Sequence, residues 1–376
     1  MFLSSVKPSG RLGRFALCAG LGVLAASQTL ADDLAWNPQA AGQYLRNRQQ
    51  AWLDFTAKRA ENRHQPQNMA CASCHTVLPD LLAAPALARA LGTPGPTPFD
   101  VVFTDRIRDK VMRPDAPQNA RFGYLHSAEP IISALVLTFD DREQHRKTLS
   151  REAEESLRRM WSEQISTGKE RGSWAWADAS LDPWETPEAA YYGTALAALA
   201  VGYAPPEYSK RPELKEQLDE MSEYLRQQFH GQIMHHRLAA LWASSYLTNL
   251  ISQADRAATL EELWRSQGAD GGWSWSALGP WKTRPDQFVA EVATSPNSDG
   301  YATAFAACCL REAGVALSVP QLNKALVWLA HHQNAKTGGW EAKSLNGLYP
   351  DDPVLGHLME DAATAYAIVA LAKAEN

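Results

Sequence analysis

The sequence predicts an all-α fold, and three observations carry that prediction. Apolar residues recur at the three-to-four spacing of an amphipathic helix along the chain, and no stretch alternates as a strand does. A Gly-x-Trp turn recurs at Gly172-Ser-Trp174-Ala-Trp176, Gly271-Gly-Trp273-Ser-Trp275 and Gly338-Gly-Trp340. Each such turn follows an amphipathic segment and precedes one rich in small and apolar residues on every side, the mark of a helix buried all round. The repeating unit is therefore an outer amphipathic helix, a turn and an inner buried helix.

Taken in order, the first unit has Tyr44, Trp52 and Phe55 on its outer helix and residues 77–91 as its inner helix. The second has residues 100–112, a turn through Pro114 and Pro117, and residues 125–139. In the third, Leu149, Ala153, Leu157, Met160 and Gln164 precede the first Gly-x-Trp turn, and residues 189–201 follow it. The fourth has Leu214, Leu218, Met221 and Leu225, a turn at Gly231, and residues 238–250. The fifth has Leu260, Leu263, Trp264 and Gln267 before its turn and residues 302–313 after it. The sixth has Leu322, Leu326, Leu329 and Gln333, then residues 362–372. Six hairpins in series can close as an inner ring of helices inside an outer ring, and the prediction is a single-domain (α/α)6 toroid rather than an open solenoid.

Before these units stands a different kind of segment. Lys7, Arg11 and Arg14 precede an uncharged apolar run over residues 15–26, and Gln28-Thr29-Leu30-Ala31 resembles a small-residue cleavage site. Residues 1–31 are expected to be a secretory signal, with residues 32–376 forming the exported, periplasmic domain. The apolar run is shorter than the roughly 20 residues that a membrane-spanning helix needs, and no later stretch is long and apolar enough to span. The net charge of −6 comes with no basic stripe, which argues against nucleic-acid binding. With 5 cysteines in 376 residues, one of them in the signal, a disulfide framework is excluded.

Two of those cysteines lie in Cys71-Ala-Ser-Cys74-His75. Two thiols at this spacing add to the two vinyl groups of a heme, and the adjacent histidine reaches the iron from one side. The expected cofactor is a covalent heme c held by Cys71, Cys74 and His75; the alternative is zinc, with His64 as the nearest further ligand. The motif stands where the Gly-x-Trp turn stands in other hairpins. In a closed ring it adjoins the second and sixth hairpins, which makes His126, His357 and Met359 candidates for a second iron ligand, His126 first; Met69 is close in sequence. Other residues expected at the same rim are Glu188, Tyr191, Tyr192, His235, His236, Asp299, Tyr301 and Asp361. Residues 177–187, 277–297 and 341–356, carrying Trp184, Trp281 and Tyr349, are expected to wall in this face. Trp174, Trp273 and Trp340 read as structural, stacking at the hairpin turns and tying neighbouring repeats together, and Cys308 and Cys309 as buried small residues.

Gln267-x3-Gly271-x-Trp273 resembles the Gln-Trp repeat of squalene-hopene cyclases. Gln333 to Trp340 fits with one residue inserted, and Gln164 to Trp174 with a longer insertion. The starts Ser298-Asp-Gly-Tyr-Ala-Thr303 and Glu360-Asp-Ala-Ala-Thr364 are similar to those of the same family and its prenyltransferase relatives. The resemblance covers residues 140–375 well and the preceding hundred weakly. It implies an α/α toroid. It also implies an acid in an Asp-x-Asp-Asp stretch, of which Asn297-Ser298-Asp299-Gly300 keeps only Asp299, the single candidate for a catalytic carboxylate. The prenyltransferase likeness would put zinc on Asp361 and Cys308 or Cys309. Two functions follow. The first is an exported heme protein that transfers electrons or does redox chemistry, for a partner protein or on a hydrophobic small molecule in the bore. The second is a terpenoid-cyclase-like enzyme or binding module with a structural metal.

Overall fold

The computed structural model describes Met1 and residues 34–62, 73–93, 95–113, 128–282 and 288–372. Among these, twelve α-helices of ten or more residues alternate as the repeat requires. They are α1 (Pro38–Glu61), α2 (Val77–Leu91), α3 (Pro98–Val111), α4 (Ala128–Glu143), α5 (Arg151–Ser162) and α6 (Ala190–Tyr203) in the first three hairpins. The last three contain α7 (Lys215–Gln228), α8 (Met234–Ala243), α9 (Gln253–Arg265), α10 (Gly300–Glu312), α11 (Pro320–His331) and α12 (Leu358–Ala372). Extended pairing among the described residues is limited to isolated bridges, two of which, Gln164–Trp174 and Gln333–Trp340, close Gly-x-Trp turns. No helix of the described residues is long and apolar enough to cross a membrane.

The helices start where the side chains allow. Asn37 caps α1 ahead of Pro38, and Thr97 and Asp100 form a reciprocal capping box ahead of α3. Ser150, Ser252 and Asp299 cap α5, α9 and α10. The inner helices are buried almost throughout; α6 is buried at every position from Tyr191 to Val201, a run of small and apolar residues that permits close packing on all sides. One inner helix differs from expectation. α8 begins at Met234 and ends at Ala243, earlier than residues 238–250, because the Ser244 hydroxyl bonds back to the Leu241 carbonyl and the chain turns across Gly202 through Tyr246 and Leu247.

Packing follows the order of the hairpins. α2 lies on α4, α4 on α6, α6 on α8, α8 on α10, α10 on α12 and α12 on α2, so the succession of inner helices returns to its start. The outer helices do likewise: α5 packs on α4, α7 on α6, α9 on α8, α11 on α10 and α1 on α12.

The Gly-x-Trp turns explain how neighbours are joined. Trp174, Trp273 and Trp340 are buried, and each indole N–H donates to a carbonyl of its own outer helix: Met160 at 2.7 Å, Leu263 at 2.9 Å and Leu329 at 2.7 Å. The glutamine before each turn reaches outward. Gln164 donates to the carbonyls of Gly172 and Gln217, Gln267 to those of Gly271 and Gln321, and Gln333 to those of Gly338 and Asn37. In each case the second carbonyl belongs to the next outer strut, and Gln333 thereby ties the sixth hairpin to the first; the Asn37 N–H returns a bond to Gln333 at 2.7 Å. The turn glycine is fixed by the same contact. Gly338 has φ +85°, and a Cβ there would meet the Ala40 carbonyl at 2.3 Å, leaving room for hydrogen only.

Candidate functional site

Cys74 and His75 lie in the turn between α1 and α2; Cys71, His126, His64 and Met69 lie outside the described residues. The sequence sets this turn locally through Ser73. Its hydroxyl accepts from the backbone N–H groups of Thr76 at 3.1 Å and Val77 at 3.0 Å, and its carbonyl accepts from Leu78. Because Ser73 does the capping, the Thr76 side chain at the helix boundary is released for another role.

That role is toward the sixth hairpin. The His75 Nδ1 is 3.0 Å from the Thr76 hydroxyl, and that hydroxyl donates to Asp361 Oδ2 at 2.8 Å. Asp361, at the start of α12, also receives Arg48 Nε at 2.6 Å and Nη2 at 3.3 Å, and the Tyr44 hydroxyl at 3.3 Å. Arg48 in turn donates to the carbonyls of Pro353 and Val354. Burial pushes the Asp361 carboxyl up, and the guanidinium and the Thr76 hydroxyl oppose it. The Arg48 guanidinium, which can only donate, reaches both oxygens, and that contact favours the carboxylate over the carboxylic acid.

His75 itself is buried, 4 % exposed, with its ring edge-on to Trp52 at 5.1 Å and tilted against Trp184 at 5.9 Å. Burial, with Arg48 nearby, lowers its pKa to about 3, so the imidazole is neutral at physiological pH. Its Nε2 has no hydrogen-bond partner among the described residues. Cys74 is 2 % exposed and its thiol bonds to the buried Glu185 carboxyl, which burial raises.

Of the inner-helix starts expected at one rim, those carrying Tyr192, His235 and Tyr301 meet through side chains. Trp184 donates to the Tyr301 hydroxyl at 3.0 Å, and Tyr301 Oη lies 2.9 Å from His235 Nε2. His235 stacks on Phe305 at 4.3 Å and approaches Tyr192 at 5.3 Å; Phe305 packs edge-on to Tyr366 at 5.2 Å. Aromatic rings therefore occupy the space between α6, α8, α10 and α12 at this end. His236 is also buried and lowered to about 3 by burial. Glu188 pairs with Lys282 outside this cluster, and His357 is exposed and pairs with Glu360.

Met359 is 3 % exposed. With Trp184, Leu181, Leu355 and Tyr349 it lines a recess of about 380 Å³, solvent at its mouth included. The long loops are pinned to one another here. Asn346 donates to the Asp182 carbonyl at 2.8 Å and accepts from the Asp182 N–H at 3.1 Å, and the Val289 N–H donates to the Leu345 carbonyl. Trp281 packs edge-on to Trp275 at 5.4 Å, and the Trp275 indole donates to the Lys343 carbonyl at 3.0 Å.

Asp299 caps α10. One oxygen accepts from the N–H groups of Tyr301 and Ala302, and the other from Lys343 N–H at 2.9 Å. Burial raises its pKa to about 6 in spite of these donors. Both oxygens are thus committed to holding the helix start and the 341–356 loop. Cys308 and Cys309 are fully buried within α10. Among the described residues no group of three or more His, Cys, Asp and Glu side chains is arranged to hold a metal ion. The zinc alternative at the Cys-x-x-Cys-His turn also needs Cys71 and His64.

Sequence reasoning did not single out Thr76 or Arg48, and it read Tyr44 only as an outer-helix residue. The signals were present: Thr76 directly follows the histidine, and Tyr44 and Arg48 are one helical turn apart on α1, facing α12. Compared with protein-family models and with curated proteins, the sequence matches none.

Proposed function

We propose that this chain is an exported c-type heme protein, with the heme carried on the first hairpin of an (α/α)6 toroid related to that of squalene-hopene cyclases. The return of α12 to α2, the seat of α1 on α12 and the Gln333–Asn37 tie support the toroid. The observation that carries the heme reading is the state of His75. It directly follows Cys74, is neutral and buried, and has an Nε2 without a hydrogen-bond partner among the described residues. A neutral imidazole with a nitrogen that no described residue engages has the form an iron ligand needs.

The residues present fit a heme. Cys71 and Cys74 would take the thioether bonds and His75 one axial position. A heme so held supplies one-electron chemistry, with a potential set by axial ligands, hydrogen bonding and burial. The chain's own residues orient and shield. Trp52 and Trp184 wall the imidazole, the pinned loops flank the Trp184 side, and Met359 and His126 are the proposed sources of a second ligand. The occupied space between α6, α8, α10 and α12 favours electron exchange with a partner protein, or with a hydrophobic molecule held at the rim, over chemistry deep in a bore. Export to the periplasm by residues 1–31 belongs to the same reading, because covalent heme attachment takes place there.

The test is heme staining after denaturing electrophoresis of the full chain from cells that possess heme-attachment machinery. The chain is expected to stain, and Cys74→Ala to lose most of the stain. A folded, exported chain without covalent heme would overturn the proposal.

A further inference from the structure

We infer that Thr76 and Asp361 are positioning residues that fix the tautomer of His75 across the join between the first and sixth hairpins. The argument begins at the carboxylate. Arg48 Nε and Nη2, which can only donate, reach the two oxygens of Asp361, so Asp361 is held as a carboxylate with no proton to give to Thr76. The Thr76 hydroxyl has one proton, and at 2.8 Å from Asp361 Oδ2 it spends that proton there. Toward His75 Nδ1, 3.0 Å away, Thr76 can then act only as an acceptor. His75 must carry its proton on Nδ1, and its lone pair must be on Nε2.

This inference rests on the heme reading for its consequence but not for its geometry. An imidazole whose Nδ1–H is hydrogen-bonded toward a carboxylate is held in one ring orientation and is a stronger donor at Nε2; partners of this kind typically change metal affinity by about 10–100-fold when removed. Here the chain of bonds crosses from α2 to α12 and back to α1 through Arg48. The ligand on hairpin one is therefore oriented by a residue on hairpin six, and only when the two are closed on each other. The Ser73 cap makes this possible by leaving the Thr76 hydroxyl free of the helix N-terminus.

Two measurements test the inference. In the full chain prepared without heme, with histidine labelled in both ring nitrogens, a long-range proton–nitrogen correlation spectrum reads the tautomer. The His75 signal is identified by its loss in His75→Gln. The expected result is the Nδ1–H form in the parent chain and in Thr76→Ser, with a shift toward the Nε2–H form in Thr76→Val. In the heme-loaded chain, Thr76→Val is expected to raise the midpoint potential while Thr76→Ser restores it. A purely structural role for Thr76 would lower the melting temperature without moving either readout. An Nε2–H form in the parent chain, or an unchanged spectrum and potential in Thr76→Val, would overturn the inference. If no heme attaches, the function proposed above fails while the tautomer spectrum still decides this point. If the heme-free chain does not fold, the potentials of the loaded variants decide it.

Discussion

The turn at Ser73–Thr76 and the turn at Gly338–Trp340 occupy the same place in two adjacent hairpins, and they are built on opposite principles. At Gly338–Trp340 every group with hydrogen-bonding capacity is used to hold the structure. The Trp340 indole locks the turn to α11, Gln333 locks it to Asn37, and the glycine is pressed against the Ala40 carbonyl. At Ser73–Thr76 the structural work falls to one residue, Ser73. The remaining side chains are a buried thiol, a buried neutral imidazole and a hydroxyl aimed at a neighbouring hairpin. The repeat thus spends three of its turns on closure. In the first hairpin it keeps the position and replaces the lock with a thiol, an imidazole and a hydroxyl. Closure itself is then supplied from the other side of the join, by Gln333 and by the Arg48–Asp361 pair.

The comparison is broken most severely by filling the turn glycine. Gly338→Ala forces a Cβ into the Ala40 carbonyl at a positive φ, and a loss of about 4 kcal/mol or more is expected in chemical denaturation. Gly231→Ala is the control. It lies in the fourth hairpin, whose turn lacks the tryptophan, and a Cβ there meets nothing within 4 Å. Its expected effect is within about 0.5 kcal/mol. Equal losses at the two glycines would show that the Gly-x-Trp turns are not the specialised joints described here.

Next in size is the join itself. Gln333→Ala removes three bonds to the backbone of Gly338 and Asn37, with an expected cost of about 2 kcal/mol. Protease susceptibility should rise first near α1 if this bond set holds the ends together. Ser73→Ala, by contrast, removes one helix cap, with an expected cost of about 1 kcal/mol.

The last effect is electrostatic and is read as a slope. His236 is lowered to about 3 by burial, against about 6.5 in the unfolded chain. Between these values the unfolded state binds a proton that the folded state does not, so stability falls as the pH falls through 6.5, and the loss is complete near 3. The slope contributed by one such histidine is about 1.4 kcal/mol per pH unit. His236→Gln should flatten the acid limb of the stability curve by that amount and leave it unchanged above pH 7. An unaltered acid limb would mean that His236 is hydrated in the folded chain.

Much of the fold was legible because its period is long and its punctuation strong. The inner helix 77–91 falls on α2 residue for residue, and an outer and an inner helix of each of the six units are present among the described residues. α8 was placed late because the helical pattern of residues 238–250 says nothing about Ser244 bonding back to Leu241 or the crossing at Gly202; those are contacts between hairpins. The site divides in the same way. Cys74 and His75 stand out in the sequence by their spacing alone. Thr76, Asp361 and Arg48 act through contacts between residues up to 313 positions apart, and no local pattern announces such a network. The tryptophans read as structural are buried as expected, but the tie between repeats is made by the glutamines, while each tryptophan holds its own hairpin.

The measurement that bears most directly on the whole account is the absorption spectrum of the purified full chain, oxidised and reduced, after export from cells with heme-attachment machinery. The account predicts a Soret band that survives acid–acetone extraction, and a changed spectrum in His75→Ala with the covalent heme retained. A chain with no covalent heme, or a spectrum indifferent to His75, would contradict it.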